Sequence, residues 1–442
     1  MTDRESRIKL LYEAAAERIL VKEGPHGTYL QGRNLVASDY GGDTYEGCPE
    51  QLNVTRPDVV RDMHRGYLEA GADLLMSNTF GGMDIVLAEY DLQDSVRELN
   101  GAAVRLAREM ADQFSTRAKP RFVMGDMGPT TKAITVTGGI TFDELVETYY
   151  RLSLVLADAG ADTLLLETQN DTRTIKAGLI GIWRAFDELG FRLPVMVSGT
   201  IEQTGTMLAG QSAEALATSL MHADLFTLGL NCSTGPEFMT DHLRGIAGVS
   251  EFRLSCWPNA GLPDPDGNYR ESPQQVATVM ERFVDEGWLN IIGGCCGTTP
   301  EHIRMLTEMA VGKKPRLPQR HSRALFSGVD FVEATDDNRP LIVGERTNEV
   351  GLRMAVGASR KDIMTQFVIE ASMLGVIGGM AGIILGILGS FSVRIGTSWA
   401  ISISPASVML AVGFSLLVGL FFGVYPARRA SLLDPIDALR SE

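Results

Sequence analysis

The stretch PQQVATVMERFVDEGWLNIIGGCCGT, residues 273–298, holds one structural unit together with its chemistry. Residues 273–286 form an amphipathic stretch of helix length, and residues 289–292 a short apolar, β-branched run. That run ends on Gly293-Gly294-Cys295-Cys296-Gly297-Thr298. The same alternation extends through the front of the chain. Short apolar runs recur at 18–21, 73–77, 121–125, 162–166, 194–198, 225–230, 252–255 and 289–292. Between them lie helical stretches such as 56–70 and 142–159. Thr55 before Pro57 and Asp58, and Thr141 three residues ahead of Glu144, read as helix caps. Strand–helix alternation implies parallel strands, and eight units fit a closed (β/α)8 TIM barrel better than an open sheet. In such a barrel the chemistry sits where the strands end.

Composition narrows the function classes. The chain has 442 residues, 55 acidic against 40 basic, and a net charge of −15. That balance argues against nucleic-acid binding, which needs a basic face. Five cysteines are too few and too odd in number for a disulfide scaffold. The N-terminal residues show no apolar core of a signal peptide, so the barrel is expected in a reducing cytoplasm.

Charge divides the chain in two. Residues 1–348 carry 33 basic and 49 acidic residues, whereas the remainder is nearly neutral with seven and six. Residues 371–393 contain no charge, and neither do residues 395–427. Each run is long enough to cross a hydrocarbon core of roughly 30 Å as a helix. Glycines four apart, such as Gly378, Gly382 and Gly386, suit close helix packing in lipid. Arg353, Arg360 and Lys361 precede the pair and Arg428 and Arg429 follow it, so both ends are expected on the cytoplasmic side. The expectation is a barrel over 1–318, a linker over 319–348 and a membrane segment over 349–442. The two transmembrane helices of that segment fall at about 367–389 and 406–425.

Each strand end carries polar residues. Glu23-Gly24 follows the first, Asn78-Thr79 the second, Gly128–Lys132 the third and Glu167-Thr168 the fourth. Gly199-Thr200, Asn231-Cys232, the segment 258–261 and Gly293–Thr298 follow the rest. Cys232, Cys295 and Cys296 thereby fall at two nearby strand ends. A vicinal cysteine pair makes a strained disulfide, so in a reducing compartment it reads better as a ligand pair. Three thiolates suit Zn2+ and leave a fourth position open, where a substrate thiol can be activated as its thiolate. The plainer alternative is three buried apolar cysteines, and Cys48 and Cys256 are read that way. Glu167 is either a hydrogen-bonded strand-end carboxylate or a partner for a substrate ammonium, with Glu23 beside it. The six histidines show no metal-ligand spacing.

Glu23-Gly24, residues 53–57, 78–80, 229–232, 258–263 and GGCCGTTPEHI (293–303) together resemble the homocysteine S-methyltransferase domain. The likeness is greatest to the N-terminal module of cobalamin-dependent methionine synthase. It implies zinc on Cys232, Cys295 and Cys296, and homocysteine held through Glu23, Gly24, Glu167 and Asn231. It further implies methyl transfer to the homocysteine thiol to give methionine, with methylcobalamin as external donor. That donor would arrive free or on a cobalamin-binding protein or module in trans; betaine and S-methylmethionine are the alternative donors. Where the family has Asp, this chain has Glu23, and Pro25 has no N–H to donate. Residues 339–348 resemble the first strand of a pterin-binding module, which stops there. Residues 345–375 and 425–442 instead resemble the C-terminal part of FtsX-like ABC transporter permeases. The chain therefore reads as a chimera, arising by genomic fusion or in the joining of sequence reads across Glu345–Thr347. If the fusion is real, its barrel is cytoplasmic and its tail is anchored in the inner membrane. A reading of another class makes it a non-catalytic permease component with a passenger barrel.

Overall fold

Eight parallel strands carry the alternation into space: β1 (Leu20–Val21), β2 (Leu74–Met76), β3 (Phe122–Met127), β4 (Thr163–Gln169), β5 (Val195–Gly199), β6 (Thr227–Asn231), β7 (Arg253–Trp257) and β8 (Ile291–Ile292). Their order in the sheet is β1-β8-β7-β6-β5-β4-β3-β2. A parallel bridge from Lys22 to Leu74 joins the two ends, and the Glu23 N–H donates to the Leu74 carbonyl at 2.9 Å. The protein is thus a (β/α)8 barrel, seen here in a computed structural model that describes residues 3–134, 138–318 and 323–335 and isolated positions between 361 and 386. The chain divides into two compact units, Met1–Ala334 and Thr335–Glu442. Apart from those isolated positions, the transmembrane hairpin expected at about 367–389 and 406–425 lies outside the described residues. No helix among the described residues is long and apolar enough to cross a membrane.

Side chains alternate across a strand, and the barrel uses both faces. Outward residues such as Val123, Leu164, Val197 and Leu228 pack against the helix ring. Inward residues Leu20, Leu74, Met76, Phe122, Met124, Leu165, Met196, Trp257 and Ile291 fill the interior. The helix Arg4–Glu17 adds Leu11, Ala14 and Ala15 to that interior cluster. It therefore plugs the end of the barrel opposite the strand C-termini. At that end two buried carboxylates clamp the strands. Asp73 pairs with Arg18 and accepts from the Val21 N–H, and Asp162 pairs with Arg7 and Arg108 and accepts from the Val123 N–H.

The helix Phe142–Asp158 starts with the expected capping box between Thr141 and Glu144. Thr55 does not cap its helix. Arg56 precedes Pro57–Glu69 with no side-chain cap, and the Thr55 hydroxyl donates back to the Gln51 carbonyl because a separate turn, Leu52–Thr55, comes first. Beyond residue 318, β9 (Leu325–Ser327) and β10 (Phe331–Glu333) pair as an antiparallel hairpin. Ser212 donates to Asp330 and Ser327 to the Ala215 carbonyl, fastening that hairpin to the helix Ala213–Leu220.

Candidate metal and substrate site

Period-two alternation predicts which residues crown the interior. Two positions beyond inward Leu20, Met124, Leu165 and Met196 come Lys22, Asp126, Glu167 and Ser198, all buried. A polar layer thus lies directly above the apolar fill, at the C-terminal mouth. Cys295 continues the inward side of β8 past Ile291 and is 8% exposed.

Hydrogen bonds from neighbouring loops shape the cysteine turn. The Cys295 N–H donates to the Pro258 carbonyl at 2.8 Å, the Ala260 N–H to the Cys296 carbonyl at 2.9 Å, and Thr298 closes the turn onto the Cys295 carbonyl. Gly297 holds φ +77°, and a Cβ there would fall 2.2 Å from Tyr269, so only glycine fits. On the other side Cys232 and Ser233 both sit in the left-handed region, at φ 59° and 60°. Non-glycine residues adopt that conformation at a cost, which the surrounding bonds sustain. The Cys232 N–H reaches the Trp257 carbonyl, and the Ser233 hydroxyl donates to Glu202 at 2.8 Å.

The three sulfurs converge. The Cys232 and Cys296 Sγ atoms are 3.9 Å apart, and all three Sγ atoms lie within 4.8 Å of one another. All five cysteines are free; a disulfide would need about 2.05 Å. Tetrahedral zinc with Zn–S bonds of about 2.3 Å places its sulfurs about 3.8 Å apart. The donor set and spacing therefore fit zinc. Three thiols this close cannot all ionise without a cation. Hydrogen bonding with Cys232 and Cys296, together with burial, pushes Cys295 well above the usual thiol range, whereas hydrogen bonding with Cys232 and Cys295 holds Cys296 low. Cys48 and Cys256 are buried away from this cluster, Cys48 among Leu87, Leu92 and Leu99 and Cys256 against Met239.

Asn231 ties the sulfurs to the carboxyl layer. Its Oδ1 accepts from the Ser198 hydroxyl and the Thr168 N–H, and its Nδ2 donates to the Thr168 hydroxyl and lies 3.8 Å from the Cys295 sulfur. Thr168 has φ 57°, and the β4–β5 register shifts between Leu166 and Gln169. This bulge sits beside Glu167.

The two acidic candidates differ sharply. Glu23 is fully buried, and both its oxygens have partners: the Met76 N–H at 2.6 Å, His26 Nε2 at 2.9 Å and His64 Nδ1 at 3.1 Å. Burial alone would raise its pKa, but the two histidines outweigh it and hold the carboxyl at about 2. Burial lowers His26 in turn, despite Glu23. Gly24 passes so close to Tyr67 that a Cβ would lie 2.7 Å from its ring. Glu167 is 4% exposed, and among the described residues its Oε1 has no hydrogen-bond donor; Lys22 Nζ stands 3.6 Å away. Asp126 also has an unpartnered oxygen, Oδ1. Its carboxyl is pushed well above the usual range by burial and by the charge of Glu167.

Sequence reading passed over Lys22, His26, His64 and Asp126. Lys22 had a signal, a charge directly after the apolar run 18–21 and in step with inward Leu20. His26 and His64 had none, being 38 positions apart, and were expected on surfaces or helices; His64 is in fact wholly buried and His26 opens the helix His26–Gln31.

Comparison with known proteins matches the chain to two families and agrees with the barrel fold. Residues 20–310 match the family described as homocysteine S-methyltransferase, and residues 341–435 the one described as FtsX-like permease C-terminal. The methionine synthase of Mycobacterium tuberculosis is 37% identical over 345 residues, covering 77% of this chain and 29% of that protein. That of Mycobacterium leprae is 38% identical over 357 residues, 78% and 29% respectively. The chain thus spans under a third of the length of these curated relatives. Among solved structures, the homocysteine methyltransferase MmuM from Escherichia coli in its metallated form superposes with a TM-score of 0.56 at 22% identity, over 68% of this chain and 99% of that one. Its oxidized form gives 0.54 at 22% identity, over 70% and 99%. At that identity the likeness speaks for the fold.

Proposed function

The chain belongs to the homocysteine S-methyltransferase family over residues 20–310, and from that premise we propose that its barrel methylates the thiol of homocysteine, with Cys232, Cys295 and Cys296 holding one zinc ion. The convergence of those three sulfurs carries the proposal. Zinc bound there supplies a Lewis acid that favours the thiolate form of an incoming thiol. The chain's own residues do the rest. Asn231 fixes the Cys295 side of the cluster and the bulge at Thr168. The polar layer of Asp126, Glu167 and Ser198 forms the floor on which the amino-acid part of the substrate rests. Glu23 and Gly24 shape one wall, Glu23 from beneath and Gly24 by its close approach to Tyr67.

Methylcobalamin is the donor we propose, on the strength of the similarity to methionine synthases. The purified chain should bind about one zinc, and changing both Cys295 and Cys296 to Ser should abolish binding and methyl transfer together. Full zinc occupancy in that double variant would refute the ligand set. A panel of methylcobalamin, betaine and S-methylmethionine with homocysteine identifies the donor by methionine formed. Because residues 341–435 match the permease family, we also propose that the tail anchors the barrel to a membrane.

A further inference from the structure

Within the proposed substrate pocket one ammonium is already present. Lys22 is 1% exposed, and an ammonium has three N–H donors and accepts nothing. Its Nζ is 3.2 Å from the Glu23 carbonyl, 3.4 Å from the Gly294 carbonyl and 3.6 Å from Glu167 Oε1. The Trp257 ring centroid lies 5.2 Å away, within cation–π range. Two carbonyls, a carboxylate and an indole face make a site for a primary ammonium, built at the strand end next to Cys295. A buried ammonium without such partners would be costly. The chain's own lysine fills this one.

The surrounding carboxyls leave little for a second cation. Glu23 spends both oxygens on Met76, His26 and His64. Asp126 is driven toward its neutral form by burial and by Glu167. Glu167 is the carboxylate of the layer that faces Lys22, at 3.6 Å, as its ion-pair partner. An incoming ammonium would meet a carboxylate already paired, with the lysine ammonium in its place. We infer that Lys22 is a resident cation occupying the ammonium subsite of this pocket, so that the barrel accepts thiols and thioethers with and without an α-amino group. The inference rests on the amino-acid reading of the pocket and deepens it: Lys22 is a specificity-determining residue.

The test needs neither metal nor methyl donor. Binding of L-methionine and of its des-amino analogue, 4-(methylthio)butyrate, is measured by titration calorimetry on the detergent-solubilised full chain. With Lys22 in place the two dissociation constants should agree within about tenfold. Lys22→Met frees Glu167 and should raise the preference for methionine by about tenfold or more. The double variant Lys22→Met/Glu167→Gln removes the pair as a unit, which buried pairs tolerate better than loss of one member. It guards against misfolding of the single variant and should return the preference to the wild-type value. A wild-type preference for methionine of about a hundredfold, lost in the double variant, would overturn the inference and leave the amino-acid reading intact. If neither ligand binds any of the three proteins, the amino-acid reading itself falls, and this inference with it.

Discussion

Glu23 shows what a single carboxylate contributes beneath the pocket. Its pKa falls from an ordinary 4.5 to about 2 because His26 and His64 face it from two elements. A carboxyl depressed on folding adds stability above its unfolded pKa and loses it as pH falls toward the folded one. The window here runs from about pH 4.5 down to 2, and the span corresponds to roughly 3 kcal/mol. Glu23→Gln should therefore lower the urea midpoint markedly at pH 6. The gap to wild type should shrink progressively below pH 4.5 and nearly close only at about pH 2. A gap independent of pH over that range would show that Glu23 acts through packing and not through charge. None of this was legible in the sequence. Cys295-Cys296 announce themselves as neighbours, but the meeting of His26 and His64 on one carboxylate exists only after the chain folds.

At the level of elements, the eight apolar runs each became a strand. The C-terminal ends of five of them, β3 to β7, extend past the apolar run. Glu167, Thr168 and Asn231 looked like loop residues following a strand, yet β4 runs to Gln169 and β6 to Asn231. Hydrophobic runs stop where the interior turns polar, whereas backbone pairing continues, and that polar top layer is the site itself. Alternation past Met124 and Leu165 would have flagged Asp126 with Glu167. The plug helix Arg4–Glu17 was missed for a related reason: its buried face is only Leu11, Ala14 and Ala15, too narrow a stripe to stand out. Its importance is checkable. Leu11 is wholly buried against the barrel interior, so Leu11→Ala should cost about 3 kcal/mol in chemical denaturation. A loss below about 1 kcal/mol would mean that the plug is not part of the barrel's cooperative unit. At the mouth, by contrast, Thr141→Ala should cost only about 1 kcal/mol, the worth of one cap.

For the molecule as a whole, two family matches meet in one chain, residues 20–310 and 341–435. The first compact unit ends at Ala334, past the hairpin of β9 and β10 that fastens to the helix Ala213–Leu220. The barrel's interior, its helix ring and all three cysteines lie within that unit. Every contact described above for the sulfur cluster and the carboxyl layer is also internal to it. A chain stopped after Ala334 should thus keep the zinc stoichiometry and thermal midpoint of the barrel. The uncharged runs 371–393 and 395–427 are each long enough to span a bilayer, and they carry the whole of the proposed membrane affinity. The acidic first unit has none to offer an anionic surface. Expressed in bacteria, the full chain should sediment with membranes and resist carbonate extraction, while the chain ending at Ala334 stays in the supernatant. Full-length protein in the carbonate supernatant would sink the anchor. Loss of zinc from the shorter chain would instead show that the tail supports the site.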